Sequence, residues 1–245
     1  MSLFAIADLH LAMGSGCENK HMGIFKGWEK YTERLTENWN GAVGKDDTVV
    51  IAGDVSWADS LEGAFTDFEF INNTLHGRKI ILKGNHDYWW TTLSKMNVFL
   101  ASNEFYNISF LHNNAFLVDG AVVCGTRGYI KSPNETDDSH AEKLRKREAL
   151  RLEESVKRAK ECGGEYSEIC AFLHYPPIYG GFENYEVIGI LQGHGVKRCY
   201  YGHLHGQAAR RYAVSGERYG IELSLVSADF VGFTPVKIEN TRKNI

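Results

Sequence analysis

This sequence predicts an α/β fold with part-parallel sheets, and three observations carry that expectation. Short apolar runs, partly β-branched or aromatic, recur along the chain and read as buried strands. Between the first of them lie longer segments with apolar residues every three or four positions, as in helices packed by one face. Beyond residue 208 the runs follow one another without long helices, which predicts a second, mostly antiparallel set of strands.

The elements follow in order. Leu3-Phe4-Ala5-Ile6-Ala7 reads as a strand and passes at once into Asp8-Leu9-His10. Tyr31, Leu35 and Trp39 recur every four residues and predict a helix through 28–39. Thr48-Val49-Val50-Ile51-Ala52 is a second strand, ending in Gly53-Asp54. Leu61, Ala64, Phe65, Phe68, Ile71 and Leu75 share one face of a helix over 60–75. Lys79-Ile80-Ile81-Leu82-Lys83 then leads into Gly84-Asn85-His86-Asp87, and a strand at 121–124 into Gly125-Thr126-Arg127-Gly128.

Segment 131–165 reads as a helical insert. Ser139-His140-Ala141-Glu142 has the capping-box pattern, Ala149, Leu152, Val156 and Ala159 share a face, and Gly163-Gly164 ends the element. Residues 143–160 hold eight Lys or Arg against three Glu, so a solvated, salt-bridged face is expected, with a substrate-facing cap as the alternative. Ile169-Cys170-Ala171-Phe172-Leu173 precedes His174-Tyr175-Pro176-Pro177, and Arg198-Cys199-Tyr200-Tyr201 precedes Gly202-His203-Leu204-His205. Strands at 208–214, 219–226 and 236–238 complete the reading, with Gly216 as the turn between the first two.

Composition narrows the class. With 245 residues and 43% apolar content, the chain suits one domain over 1–245 with a sizeable core. A net charge of −4 gives no global attraction to polyanions, so nucleic acid is not the favoured partner. No apolar run reaches the roughly 18 residues of a membrane span. The N-terminus lacks a basic region, and Asp8 interrupts it, so it does not read as a signal peptide. The cysteines are scattered and odd in number, which predicts reduced thiols and a cytoplasmic location.

Five strand-like runs end in Asp, Asn, Gly or His. If the sheets form, Asp8, His10, Asp54, Asn85, His86, Asp87, His174, His203 and His205 converge at the carboxyl ends of the strands. One Asp or His at a strand end is ordinarily a turn or cap residue. Five such endings rich in metal donors are not explained by turn chemistry. The donors are nitrogen and oxygen only, which suits Mn, Fe or Zn and gives no thiolate for a structural zinc. They exceed what one ion needs, whereas a two-metal site with a shared carboxylate uses them all.

The ordered series Asp8-x-His10, Gly53-Asp54, Gly84-Asn85-His86-Asp87, His174 and Gly202-His203-x-His205 resembles the calcineurin-like metallophosphoesterase family. The phrases Gly53-Asp54-Val55-Ser56-Trp57-Ala58 and Lys83-Gly84-Asn85-His86-Asp87-Tyr88-Trp89-Trp90 resemble a branch of predicted phosphohydrolases within it. The resemblance implies a two-sheet mixed β-sandwich flanked by helices. It implies that Asp8, His10 and His205 hold one metal, that Asn85, His174 and His203 hold another, and that Asp54 bridges them. The implied reaction is hydrolysis of a phosphomonoester or phosphodiester by a bridging hydroxide, with His86 protonating the leaving oxygen or stabilising charge on the phosphate. A nuclease or cyclic-nucleotide phosphodiesterase is the alternative enzyme, and a non-catalytic metal-binding scaffold the alternative outside enzymes.

Relatives often carry a second Asp three residues after the bridging one; here that position is Trp57, which leaves the partner of His86 open. Asp87 either orients an imidazole or caps the following segment. Trp57, Trp89 and Trp90 read more as core packing than as pocket lining. Arg127 is a candidate phosphate clamp, with a surface ion pair the equal alternative. The loop 14–27, with His21 and Lys26, is a candidate border of the cleft, while His76, His112, His140 and His194 have no motif around them.

Overall fold

The computed structural model describes residues 1–14, 16–17, 19–130, 136–163 and 167–239. In chain order the strands are β1 (Leu3–Ile6), β2 (Thr48–Ile51), β3 (Arg78–Ile81), β4 (Ile108–Phe110), β5 (Phe116–Val118), β6 (Ala121–Thr126), β7 (Glu168–Leu173), β8 (Ile178–Tyr179), β9 (Phe182–Glu183), β10 (Arg198–Tyr201), β11 (Gly216–Arg218), β12 (Ile221–Leu225) and β13 (Val236–Ile238). The helices are α1 (Tyr31–Ala42), α2 (Phe65–Asn73), α3 (Leu93–Ser102), α4 (Asp138–Gly163), α5 (Tyr185–Gly193) and α6 (Gly206–Arg210). One sheet has the order β13-β1-β2-β3-β4 and the other β11-β12-β10-β7-β6-β5, while β8 and β9 form a small hairpin.

The period of two along each strand explains the layering. Leu3 and Ala5 of β1 and Val50 of β2 join Cys170 and Phe172 of β7 in a core between the two sheets. Phe4, Ile6, Val49 and Ile51 point the other way, into a core with Tyr31, Leu35 and Trp39 of α1 and Phe68 and Ile71 of α2. Ala171 and Leu173 face a third core with Leu152, Val156 and Ala159 of α4 and Val187, Ile188 and Leu191 of α5. Strands buried on both faces must be apolar throughout, which is why the runs do not alternate.

Four expectations need correction. The second sheet is not mostly antiparallel: β6, β7, β10 and β12 are parallel, and only its outer strands β5 and β11 are antiparallel. The α4 and α5 crossovers align β6, β7 and β10, and the β11–β12 hairpin turns β12 along β10. Strand β13 leaves for the first sheet, where it pairs with β1. The strand expected over 208–214 is instead the short helix α6 and a turn. The hairpin turn falls at Tyr219-Gly220, both with positive φ (57° and 72°), and Gly216 opens β11.

The capping box is also displaced. Helix α4 begins at Asp138, and Asp137 Oδ1 accepts from His140 N at 3.0 Å, the role expected of Ser139. Glu142 instead pairs with Lys146 four residues on. The solvated face expected of this helix is present, with Glu153–Lys157 and Glu154–Arg158 pairs beside the buried stripe. Lys131 and the Gly164 and Glu165 end of the expected segment lie outside the described residues. Among the described residues no helix is long and apolar enough to cross a membrane.

Candidate metal centre

Parallel strands place their carboxyl ends on one edge, and the two sheets bring those edges together. Ala7 N donates to Val226 O and Ala228 N to Ala7 O, each at 2.8 Å, so the end of β1 is joined to the end of β12 across the sandwich. Asp8 and His10 follow β1, Asp54 follows β2, Asn85 to Asp87 follow β3, His174 follows β7, and His203 and His205 follow β10.

The loops carrying these groups are held in strained conformations. Asp8, His10, Asp54 and His203 have φ of 60°, 46°, 52° and 71°, a left-handed region that non-glycine residues enter at a cost. Two glycines permit the close approach. A Cβ on Gly84 would lie 2.1 Å from both the amide nitrogen and Oδ1 of Asp54. One on Gly53, itself at φ 89°, would lie 2.7 Å from Gly84 Cα and from His174 Nδ1.

Asp87 lies beneath this arrangement and is fully buried. Its carboxylate accepts from Asp54 N (3.0 Å), Val55 N (2.8 Å), Gly84 N (2.7 Å) and Trp89 Nε1 (3.0 Å). It ties the β2 and β3 loops together rather than orienting an imidazole. Its partners among the described residues are backbone amides and an indole, none of them an imidazole.

Two groups of side chains present donor atoms within 4.8 Å of one another: Asp8, His10 and Asp54, and Asp54, His174 and His203. Asp54 belongs to both. Its Oδ2 lies 3.8 Å from His10 Nε2 and 3.5 Å from His174 Nε2, and its Oδ1 accepts from His86 N at 2.8 Å. Asn85 Oδ1 completes the second group, 2.7 Å from His174 Nε2 and 2.8 Å from His203 Nδ1. His203 N donates to Asp8 Oδ2 at 2.9 Å. His205 enters neither group; its ring stands 5.0 Å from that of His10.

The chemistry of this set fits cations. His10 Nδ1, His10 Nε2 and Asp54 Oδ2 are buried with no hydrogen-bond partner, a costly condition that a bound cation relieves. His174 Nδ1 faces Ala52 O at 3.0 Å, which assigns the ring proton there and leaves Nε2 as a lone pair. Burial holds His10 and His174 well below the usual histidine range, with neighbouring imidazoles adding to it. Burial, then His205 and His86, brings His203 to about 3. Burial pushes Asp8 up to about 7, and burial with the Asp87 and Asp8 charges pushes Asp54 well above the carboxylate range. Neutral imidazoles and buried carboxylates short of counter-charge suit a divalent ion, which would take the place of the protons that burial otherwise favours on the carboxylates.

His86 stands at the open side, half-buried. Its ring centroid is 4.4 Å from Trp57, and its Nδ1 is 3.4 Å from Tyr88 Oη. Trp57 also stacks on His10 at 4.9 Å and 21°. Trp57 therefore borders the centre, whereas Trp89 is core, packed against Phe68 and Phe110. Trp90 packs with Trp89 and Phe110. The 14–27 loop reaches the centre's border through Lys20, whose Nζ donates to Trp57 O at 3.0 Å. His21 packs on Tyr31, whose Oη donates to His10 O at 2.9 Å. Arg127 lies beside His174, whose amide donates to its carbonyl at 3.2 Å, but its guanidinium faces Glu148 at 3.8 Å.

One residue escaped the sequence reading. Asp229 accepts from Gly206 N at 2.8 Å, pairs with Arg210, and its charge raises the pKa of His205 against the effect of burial. It follows β12, so the strand-end rule applied to the run ending at Val226 would have found it.

The sequence model of one protein family, calcineurin-like phosphoesterase, matches residues 1–207. No curated protein matches the chain. Among solved structures, TT1561 of Thermus thermophilus is similar at 13% identity, with 97% of each chain covered and a TM-score of 0.48. The protein of unknown function AQ665 from Aquifex aeolicus is similar at 16% identity, covering 96% of this chain and 95% of its own, with a TM-score of 0.47.

Proposed function

The chain belongs to the calcineurin-like phosphoesterase family, a family of metal-dependent phosphoric ester hydrolases, and from that premise we propose that its site holds two metal ions and hydrolyses a phosphomonoester or phosphodiester. The observation that carries the two-ion reading is the membership of Asp54 in both donor groups. On this reading Asp8, His10 and His205 hold one ion, Asn85, His174 and His203 the other, and Asp54 both. The whole chain serves this centre as one domain, with α4 lying over the second sheet.

Bound there, Mn, Fe or Zn ions supply Lewis acidity, acidifying water and neutralising charge on phosphoryl oxygens. The protein's own groups do the rest. His86 projects beside the donor cluster, and its half-buried imidazole donates a proton to the leaving oxygen or a hydrogen bond to the phosphoryl group. Tyr88 and Trp57 hold that ring in place of a carboxylate. Asn85 offers its amide to the substrate as well as to the ion. Asp87 keeps the Asp54 and Gly84 loops in register, so the donors are preorganised before substrate arrives. Lys146, Lys157 and Arg158 of α4 pair with glutamates of the same helix, which gives the nuclease alternative less support.

The test is hydrolysis of an aryl phosphomonoester and an aryl phosphodiester by chelated and Mn-reconstituted protein, wild type against Asp54→Asn. Activity restored by metal and lost in the variant supports the reading and selects the ester class. Absence of any bound metal after reconstitution refutes it.

A further inference from the structure

Beside the donor cluster, the ends of β3, β4 and β6 and one face of α4 gather several cations around a single carboxylate. Glu148 is only 1% exposed. It accepts from Thr126 Oγ1 at 2.7 Å and Arg151 Nη1 at 2.8 Å, with Arg147 Nε at 3.4 Å and Arg127 Nη2 at 3.8 Å. Lys83 and His112 line the same cleft with Arg127 and Arg151. Among the described residues Lys83 makes no ion pair within 4 Å, although the charges of Asp87 and Glu148 act on it from farther away, and Arg127 Nε is buried without a hydrogen-bond partner. Three guanidiniums thus converge on one carboxylate, and the ammonium of Lys83 lines the same cleft as two of them, Arg127 and Arg151. Packing them together without another anion is unfavourable, since repulsion grows as water is excluded.

The position of the cluster says which anion. Lys83 precedes Asn85 by two residues, at most about 7 Å of chain. Arg127 accepts the amides of His174 at 3.2 Å and Tyr175 at 2.8 Å through its carbonyl. The backbones of Lys83 and Arg127 therefore adjoin the Asn85–His174 side of the centre.

We propose that Lys83, Arg127 and Arg151 form a second anion subsite, and that the substrate is a small phosphate ester bearing a second phosphate group. The proposal rests on the phosphoesterase reading and adds the substrate class. The reacting phosphate occupies the donor cluster, and the other phosphate lies against the guanidiniums, whose forked donors match its oxygens two at a time. The cavity behind them has about 10 Å³, room for one water, so the phosphate sits across its mouth rather than inside.

The first measurement is calorimetric titration of inorganic phosphate into chelated protein, for wild type, Lys83→Gln, Arg127→Gln and Arg151→Gln, with melting temperatures alongside. Wild type binds with an affinity that falls as salt rises, and each substitution weakens binding about tenfold or more. A subsite that serves only to neutralise Glu148 would instead lower the melting temperature of Arg127→Gln and Arg151→Gln and leave no phosphate binding in wild type. Lys83→Gln has no such pairing to lose and separates the two cases. The second measurement, on Mn-loaded protein, is the ratio of kcat/KM for a bisphosphate to that for its monophosphate analogue. The ratio exceeds one in wild type and falls in the variants; a ratio the variants do not move overturns the proposal. Phosphate binding to metal-free protein does not depend on turnover, so loss of the hydrolase reading and loss of the subsite are distinguishable.

Discussion

Asp54 and His174 meet across the sandwich: Asp54 Oδ2, from the loop after β2, lies 3.5 Å from His174 Nε2, from the loop after β7. That oxygen has no hydrogen-bond partner, while Oδ1 of the same carboxylate is held by the His86 amide at 2.8 Å. One side chain thus couples donors contributed by both sheets, and several expected outcomes depend on it.

Divalent metal stabilises the wild-type protein. At a hundredfold excess over Kd the gain is about 2.7 kcal/mol, or roughly 5–10 °C for a chain of this size. Asp54→Asn abolishes most of that shift, yet its metal-free form is more stable than metal-free wild type by about 0.5–2 kcal/mol, because a buried unpaired carboxylate is gone. Calorimetric melting with and without chelator reads both effects.

Gly84→Ala drives a methyl group into Asp54 and displaces the shared carboxylate. A shift on the order of 1 Å costs roughly 10²-fold in turnover, with weakened metal binding. Gly189→Ala is the control. Its added Cβ meets nothing within 4 Å, and it sits inside α5, so it stabilises by about 0.5–1 kcal/mol. Turnover and urea midpoints of the two variants test the contrast.

Asp87→Ala leaves the buried amides of Asp54, Val55 and Gly84 without their acceptor. The expected loss exceeds about 3 kcal/mol, together with metal binding. Urea denaturation and metal stoichiometry check it; a mild effect on stability would mean that the two loops do not depend on this carboxylate.

His86→Ala retains metal stoichiometry and loses turnover. If the imidazole protonates the leaving oxygen, alkyl esters suffer about 10²–10⁴-fold, and a nitrophenyl ester, whose leaving group needs no proton, much less. An equal loss on both substrates points instead to a hydrogen bond on the phosphoryl group.

Away from the centre, Lys79 is 1% exposed, and burial brings its ammonium down to about 7 from 10.5. Between those values the unfolded chain binds the extra proton, so stability rises with pH across the window and levels off above it. Below pH 7 the folded protein carries the buried charge, held by the carbonyls of Leu75 and Gly77. Lys79→Met removes this slope, which the difference between the two stability–pH curves from pH 6 to pH 10 would reveal.

Strand identity was legible where both faces are buried. Runs such as Val49-Val50-Ile51 are apolar because one face meets α1 and α2 and the other meets the second sheet. Strand direction was not legible past residue 208, because absence of a helix marks only the β11–β12 hairpin and does not say that β12 lies parallel to β10.

The sequence by itself determined the donor types, their order along the chain, and their position just beyond strand ends; local hydropathy and turn chemistry carry that information. Only the tertiary structure decided that Asp54 serves two donor groups, that Asp87 faces backbone amides, that Trp57 and Tyr88 flank His86, and that Arg127 faces Glu148. The two donor groups meet only where the two sheet edges join, and the other relationships depend on how neighbouring loops and helix α4 pack beside that junction. A side chain's partner across such a junction depends on the register and approach of both sheets, which no short stretch of sequence encodes.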